Sequence, residues 1–180
     1  MESVIANEES LDRAFVEDWL DRFLRAWNSH EPEAVVGLCT EDIVWSDPAM
    51  AEPLQGSDRA RRFVESTVTA FPDFQVSDLR APCLAPGEPR ALVQYRMTGT
   101  MLGDWDELGF AATGARICVE GIDIYDFRGE LLSGCRTLYD SLDTARQLGF
   151  LPTAGSHSDR VLARLQHVQA RFQRRTATGR

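Results

Sequence analysis

Leu11, Phe15, Trp19, Phe23 and Trp27 recur at every fourth position, with Val16, Leu20 and Leu24 beside them. That spacing lays one wide apolar face along a long helix and leaves Asp12, Glu17, Asp18 and Arg22 on its polar side. Asn28-Ser29-His30 breaks the pattern. Pro32, suited to a first helical turn, then opens a shorter helix over residues 32–39 with Ala34, Val35 and Leu38 inward. Ile43-Val44-Trp45 reads as a short strand closed by Asp47-Pro48. Ser57 or Asp58 caps a third helix through Phe63, Val64, Val68 and Phe71, ended by Pro72-Asp73. Beyond it the helical period gives way to alternation, and residues 74–79, 90–101, 116–127 and 131–139 read as strands. Ala85-Pro86-Gly87 and Gly114 punctuate them, and Arg128-Gly129-Glu130 forms a hairpin turn. Leu142, Ala145 and Leu148 mark a short helix. Val161, Leu162, Leu165, Val168 and Phe172 mark a last amphipathic one, with Arg on its other face.

Three helices followed by a run of antiparallel strands predict an α+β fold, a curved sheet with the helices on one face and an apolar pocket between them. Residues 1–10 form an acidic tail, 11–152 the domain, and 153–180 a linker and a basic helix. The other sheet face would expose apolar side chains in a monomer, so a two-fold homodimer is expected.

Charge refines the picture. The net charge of −9 argues against a nucleic-acid partner. From residue 157 onward six Arg meet one Asp, so this segment carries +5 and could dock an acidic protein partner. No apolar run is long enough to span a membrane, and the acidic N-terminus is unlike a signal peptide, so a cytoplasmic location is expected. Four Cys without a CxxC pair or a nearby His predict free, buried thiols and no metal site. Three His, none in a predicted core element, leave no base for a Ser or Cys nucleophile. Lys is absent, which removes Schiff-base chemistry, and neither a dinucleotide fingerprint nor a phosphate loop occurs. No cofactor is expected, and the substrate would be a small apolar organic molecule.

Proton transfer then falls to carboxylates. Asp140 ends the last strand, and Asp123 interrupts the apolar run Gly121-Ile122-Asp123-Ile124-Tyr125. Trp45 and Asp47 share a strand face by alternation, as Arg136 does with Asp140. A carboxylate in an apolar pocket has a raised pKa and can take and return a proton near neutrality, as enolisation, aldol closure or epoxide opening requires. Asp140 and Asp123 are the catalytic candidates. Trp45, Asp47, Tyr125, Arg136, Trp105, Trp27 and Tyr95 are the candidates for binding substrate, with Trp105 on a lid-like Gly103-Asp104-Trp105-Asp106 segment. Each polar candidate also has a plain structural role open to it: Asp140 as a helix cap, Asp123 on the solvent side, Asp47 as a turn starter, Arg136 in a structural ion pair.

The segments Ala26-Trp27-Asn28-Ser29-His30 and Thr40-Glu41-Asp42-Ile43-Val44-Trp45-Ser46-Asp47-Pro48 resemble the opening of SnoaL-like proteins. These are polyketide and ester cyclase relatives within the nuclear-transport-factor-2-like superfamily. Leu54-Gln55-Gly56, Ala70-Phe71-Pro72-Asp73-Phe74, Met97-Thr98-Gly99-Thr100, Gly121-Ile122-Asp123-Ile124-Tyr125 and Arg146-Gln147-Leu148-Gly149 continue the match. The resemblance implies a cone-shaped barrel, a dimer through the outer sheet face, and cofactor-free cyclase or isomerase chemistry on a polyketide-like carbonyl compound. It also implies that Asp140 is the general acid/base. The cyclases pair that Asp with a His on the preceding strand. Residues 118–127 hold none, so Asp123, Tyr125 or Asp126 would take its place. Epoxide hydrolysis, with Arg136 between Asp123 and Asp140, and non-catalytic ligand binding are the alternatives.

Overall fold

The computed structural model describes residues 11–78 and 80–177. The acidic tail, Leu79 at the end of an expected strand, and the side chains of Leu162, Val168 and Phe172 lie outside the described residues. Helix α1 (Arg13–Asn28) begins at Asp12, whose carboxylate accepts the Phe15 N–H at 3.1 Å and so satisfies a free donor of the first turn. Its stripe of Val16, Trp19, Leu20, Phe23, Ala26 and Trp27 is buried. Helix α2 (Pro32–Val36) is shorter than its pattern predicted, because Cys39 already opens strand β1 (Cys39–Ser46), and Ala34 is exposed rather than inward. After β2 (Leu54–Gln55), α3 (Ser57–Ala70) starts from Gly56 at φ 87° with no side-chain cap, so neither Ser57 nor Asp58 has that role.

Strands β3 (Gln75–Asp78), β4 (Cys83–Leu84) and β5 (Arg90–Thr100) follow. A 3-10 turn at Asp106–Leu108 precedes β6 (Arg116–Arg128) and β7 (Leu131–Tyr139), and helices α4 (Ser141–Gln147) and α5 (His157–Ala177) end the chain. The Asn28 amide exchanges two 2.8 Å hydrogen bonds with the Val76 backbone, which pins the end of α1 to β3.

The strands form one sheet in the order β2-β1-β7-β6-β5-β3, with β4 beside β5. Every pairing is antiparallel except β1 with β7, which is parallel. That exception sets the early strand β1 against the last one. The register of β6 and β7 slips between Asp126 and Phe127, a bulge of the kind that bends a sheet. The inner face packs on α1: Trp19 stacks on Phe23 at 4.7 Å and meets Phe127 edge-on at 5.0 Å. Each such buried ring contributes on the order of 2–3 kcal/mol.

The outer face exposes Val44, Leu92, Ile122 and Leu138, flanked by the ion pairs Arg90–Asp126 and Arg96–Glu120. Asp126 therefore faces away from the interior. All four cysteines are free, but only Cys39 and Cys135 are buried; Cys83 and Cys118 are exposed. Where its side chains are described, α5 is largely exposed, including Val161 and Leu165.

Candidate active site

Between the helices and the concave sheet lies a cavity of about 310 Å³. Its walls are aromatic and aliphatic: Phe23 and Trp27 from α1, Trp45 from β1, Phe63 from α3, and Phe71, Phe74 and Trp105 from the loops. The polar groups deep in it come from inward strand positions and fall into rows. Asp123 on β6 is paired with Thr137 on β7; Gly121 is paired with Tyr139 on one side and Tyr95 on the other; Tyr125 is paired with Cys135. Asp47 follows Ser46, which is level with Arg136, so it extends the Thr137–Asp123 row across a third strand. All three tyrosines of the chain line the cavity. The only ionisable acids in the wall are Asp47 and Asp123, and no Arg or His lines it among the described residues.

Asp123 is held by its Oδ2, which accepts the Tyr125 hydroxyl at 2.7 Å, while its buried Oδ1 has no partner. Burial pushes this carboxyl up to about 7; the Tyr125 and Thr137 hydroxyls pull it down and the Asp47 charge adds to the rise. Asp47 is fixed differently: its Oδ1 accepts both the Ala49 N–H and the Tyr139 hydroxyl, each at 2.8 Å. Burial raises this carboxyl too, against the pull of those two donors. The Tyr95 hydroxyl is buried without a partner, and burial followed by the Asp123 and Asp47 charges raises its pKa. Gly121 makes room for that ring, since a Cβ there would run into the Tyr95 phenol and come within 2.6 Å of the Leu138 carbonyl oxygen. Trp45 and Trp105 each add a buried N–H without a partner.

Seven of the expected site residues thus line one cavity: Asp123, Trp45, Asp47, Tyr125, Trp105, Trp27 and Tyr95. Asp140 and Arg136 do not. On β7 the inward positions are Cys135, Thr137 and Tyr139, so Arg136, Leu138 and Asp140 point outward and are exposed. The Asp140 carboxylate caps α4 by accepting the Asp143 N–H at 2.9 Å. Trp105 is not on a free lid tip: it bridges to Phe110, stacks on Phe63 at 6.4 Å and meets Phe71 edge-on at 5.2 Å. Tyr139 and Thr137 were missed. The signal was available in the charge of Arg136, which marks its parity as the solvent side. Among the described residues no cluster of His, Cys, Asp and Glu could hold a metal ion, and no helix is long and apolar enough to cross a membrane.

A curved sheet cupping helices around a pocket with polar groups on its concave wall defines the nuclear-transport-factor-2-like, or ketosteroid-isomerase-like, class of α+β cones. A protein with that fold from Catenulispora acidiphila superposes with a TM-score of 0.61 at 16% identity over 73% of this chain and 92% of its own. Within the class the chain belongs to the SnoaL-like domain family, whose sequence model matches residues 20–134. TsrD from Streptomyces laurentii is 25% identical, with a TM-score of 0.66 over 78% of this chain and 99% of its own. A polyketide-cyclase candidate from a Silicibacter species is 20% identical, with a TM-score of 0.63 over 73% and 93%. No curated protein sequence matches the chain.

Proposed function

We propose that the protein is a cofactor-free cyclase or isomerase that enolises a small apolar carbonyl compound, with Asp123 as general acid/base. The observation that carries this reading is the asymmetry of the Asp123 carboxylate. Oδ2 is anchored by Tyr125, and Oδ1 is left without a partner in the wall of an apolar cavity. A carboxyl pushed up to about 7 is a strong enough base to matter and still holds a proton long enough to return it. In the step we infer, Oδ1 takes a proton from the carbon beside a carbonyl, and the electron pair moves onto the carbonyl oxygen. The Tyr95 hydroxyl, which has no partner in the protein, is the donor that would stabilise the resulting enolate. The enolate carbon then attacks a second carbonyl, giving ring closure, or is reprotonated elsewhere, giving isomerisation. In both cases Asp123 gives its proton back. The unpartnered N–H groups of Trp45 and Trp105 suit a ligand with several acceptor oxygens. Epoxide opening would need a guanidinium beside the two carboxylates, and no Arg lines the cavity among the described residues.

The test needs no natural substrate. Washing of solvent deuterium into the α-carbon of 2-tetralone, followed by NMR, reads the enolisation step alone. Wild-type protein should accelerate it, and Asp123→Asn, which keeps shape and hydrogen bonding, should lose about 100- to 10,000-fold of the rate with binding retained. Equal rates in the two proteins would sink the assignment.

A further inference from the structure

The cavity holds a second carboxylate, and it is prepared for a different task. Both hydrogen bonds to Asp47 converge on Oδ1, from the Ala49 N–H and the Tyr139 hydroxyl, and Oδ2 has no partner among the described residues. Burial raises this carboxyl, but two donors on one oxygen work against that rise and fix the plane of the group, so an acceptor oxygen is held ready in the cavity wall. Nothing in the lining neutralises it, because no Arg or His is there and Lys is absent from the chain. Asp47 and Asp123 are level with each other two strands apart, which places their Cα atoms roughly 10 Å from one another. A ligand of modest size can touch both. The rings of Trp27 and Trp45, which stand 6.0 Å apart, add faces that attract positive charge.

From this geometry we infer that Asp47 is the anchor for a protonated amine, so that the substrate is a carbonyl compound carrying a basic nitrogen and carboxylate-bearing compounds are turned away. The inference rests on the enolisation reading only for the carbonyl; the charge preference stands on the wall itself. A cation placed against Oδ2 receives a charge-assisted hydrogen bond in a setting poor in water, whereas a neutral hydroxyl there receives an ordinary one. An anion finds two carboxylates and no counter-charge.

Three compounds on one skeleton separate these cases: 2-aminotetralin, 2-tetralol and tetralin-2-carboxylate. Their affinities can be read from the fluorescence of Trp27, Trp45 and Trp105. In wild-type protein the amine should bind about tenfold or more tightly than the alcohol, and the carboxylate at least as much more weakly. Asp47→Asn preserves both acceptor bonds to Oδ1 and should bring the amine within about twofold of the alcohol. Asp123→Asn should keep most of the amine preference while losing the deuterium exchange. An alcohol that binds as tightly as the amine in wild-type protein overturns the proposal, and so does an amine preference that survives Asp47→Asn. A preference lost in Asp123→Asn alone overturns it as well, by moving the anchor. The wild-type ranking needs no variant to fold, and Tyr139→Phe, which removes one donor from Oδ1, gives a second route to weakening the preference. Failure of the exchange assay would leave this ranking untouched, so the two proposals fail separately.

Discussion

A single aspartate in an otherwise apolar strand was visible in the sequence because its neighbours on both sides are hydrophobic. The parity of β7 was written less plainly, in the charge of Arg136 alone. A charged Arg136 and an apolar Leu138 share one face, and that face is the exposed one. Asp140 inherits it and is spent on a helix cap, while Thr137 and Tyr139 take the interior positions. The raised pKa of Asp123 has a measurable cost. The folded protein holds its proton up to about 7, whereas the unfolded chain releases it near the ordinary value of 3.8. Between those two pH values the folded state binds more protons than the unfolded one, so this group's contribution to stability is present at low pH and is lost as pH rises through the folded value. Asp123→Asn lacks the titration. Its stability relative to wild type should therefore climb from pH 4 to pH 7 and then level off, by an amount on the order of 4 kcal/mol at most. Thermal melts of the pair across that range test this, and a constant difference would show that Asp123 does not titrate in the folded protein as described.

At the scale of elements, the helices were legible from their four-residue spacing and β5, β6 and β7 from alternation, because burial on one face leaves those marks directly. The tight starts and ends were not. Gly56 begins α3 through its backbone geometry, and the early opening of β1 truncates α2, neither of which is written in a hydrophobic pattern. Gly121 shows what an element contributes by omission: its missing side chain lets the Tyr95 ring cross the β6 strand. Gly121→Ala should destabilise the fold by roughly 1–3 kcal/mol through overpacking, and should also slow enolisation by displacing the phenol. Tyr95→Phe removes the hydroxyl without moving the ring and should slow it by about 100-fold or more. If Gly121 acts through Tyr95, adding Gly121→Ala to Tyr95→Phe should cost little further rate. Additive losses would mean that the glycine serves something else.

For the molecule as a whole, Leu92, Ile122 and Leu138 form an outer apolar patch framed by ion pairs, with Val44 further along beyond the exposed Arg136. Such a frame of charge around apolar side chains is what a self-complementary contact requires, and we expect two copies to meet there about a two-fold axis. Light scattering should give twice the 20.2 kDa chain mass at micromolar concentration, and Ile122→Arg should halve it. A wild-type monomer would count against the contact. The outward face could be anticipated from alternation alone, since strands buried on one side expose the other. The placement of β1 beside β7 could not, because a parallel pairing between distant segments leaves no local trace.

That distant pairing also orders the assembly of the site in time. Asp123, Tyr125, Tyr95 and Tyr139 lie on β5, β6 and β7, which are neighbours in both sequence and sheet, joined by the tight turn at residues 129–130 and the longer connection over residues 101–115. Asp47 meets Tyr139 across 92 residues, so it arrives only when the long intervening chain has closed and its entropy has been spent. Refolding is therefore expected to bring Asp123 and Tyr95 together before Asp47 joins them, and hydrogen exchange pulsed during refolding should protect β6 and β7 ahead of β1.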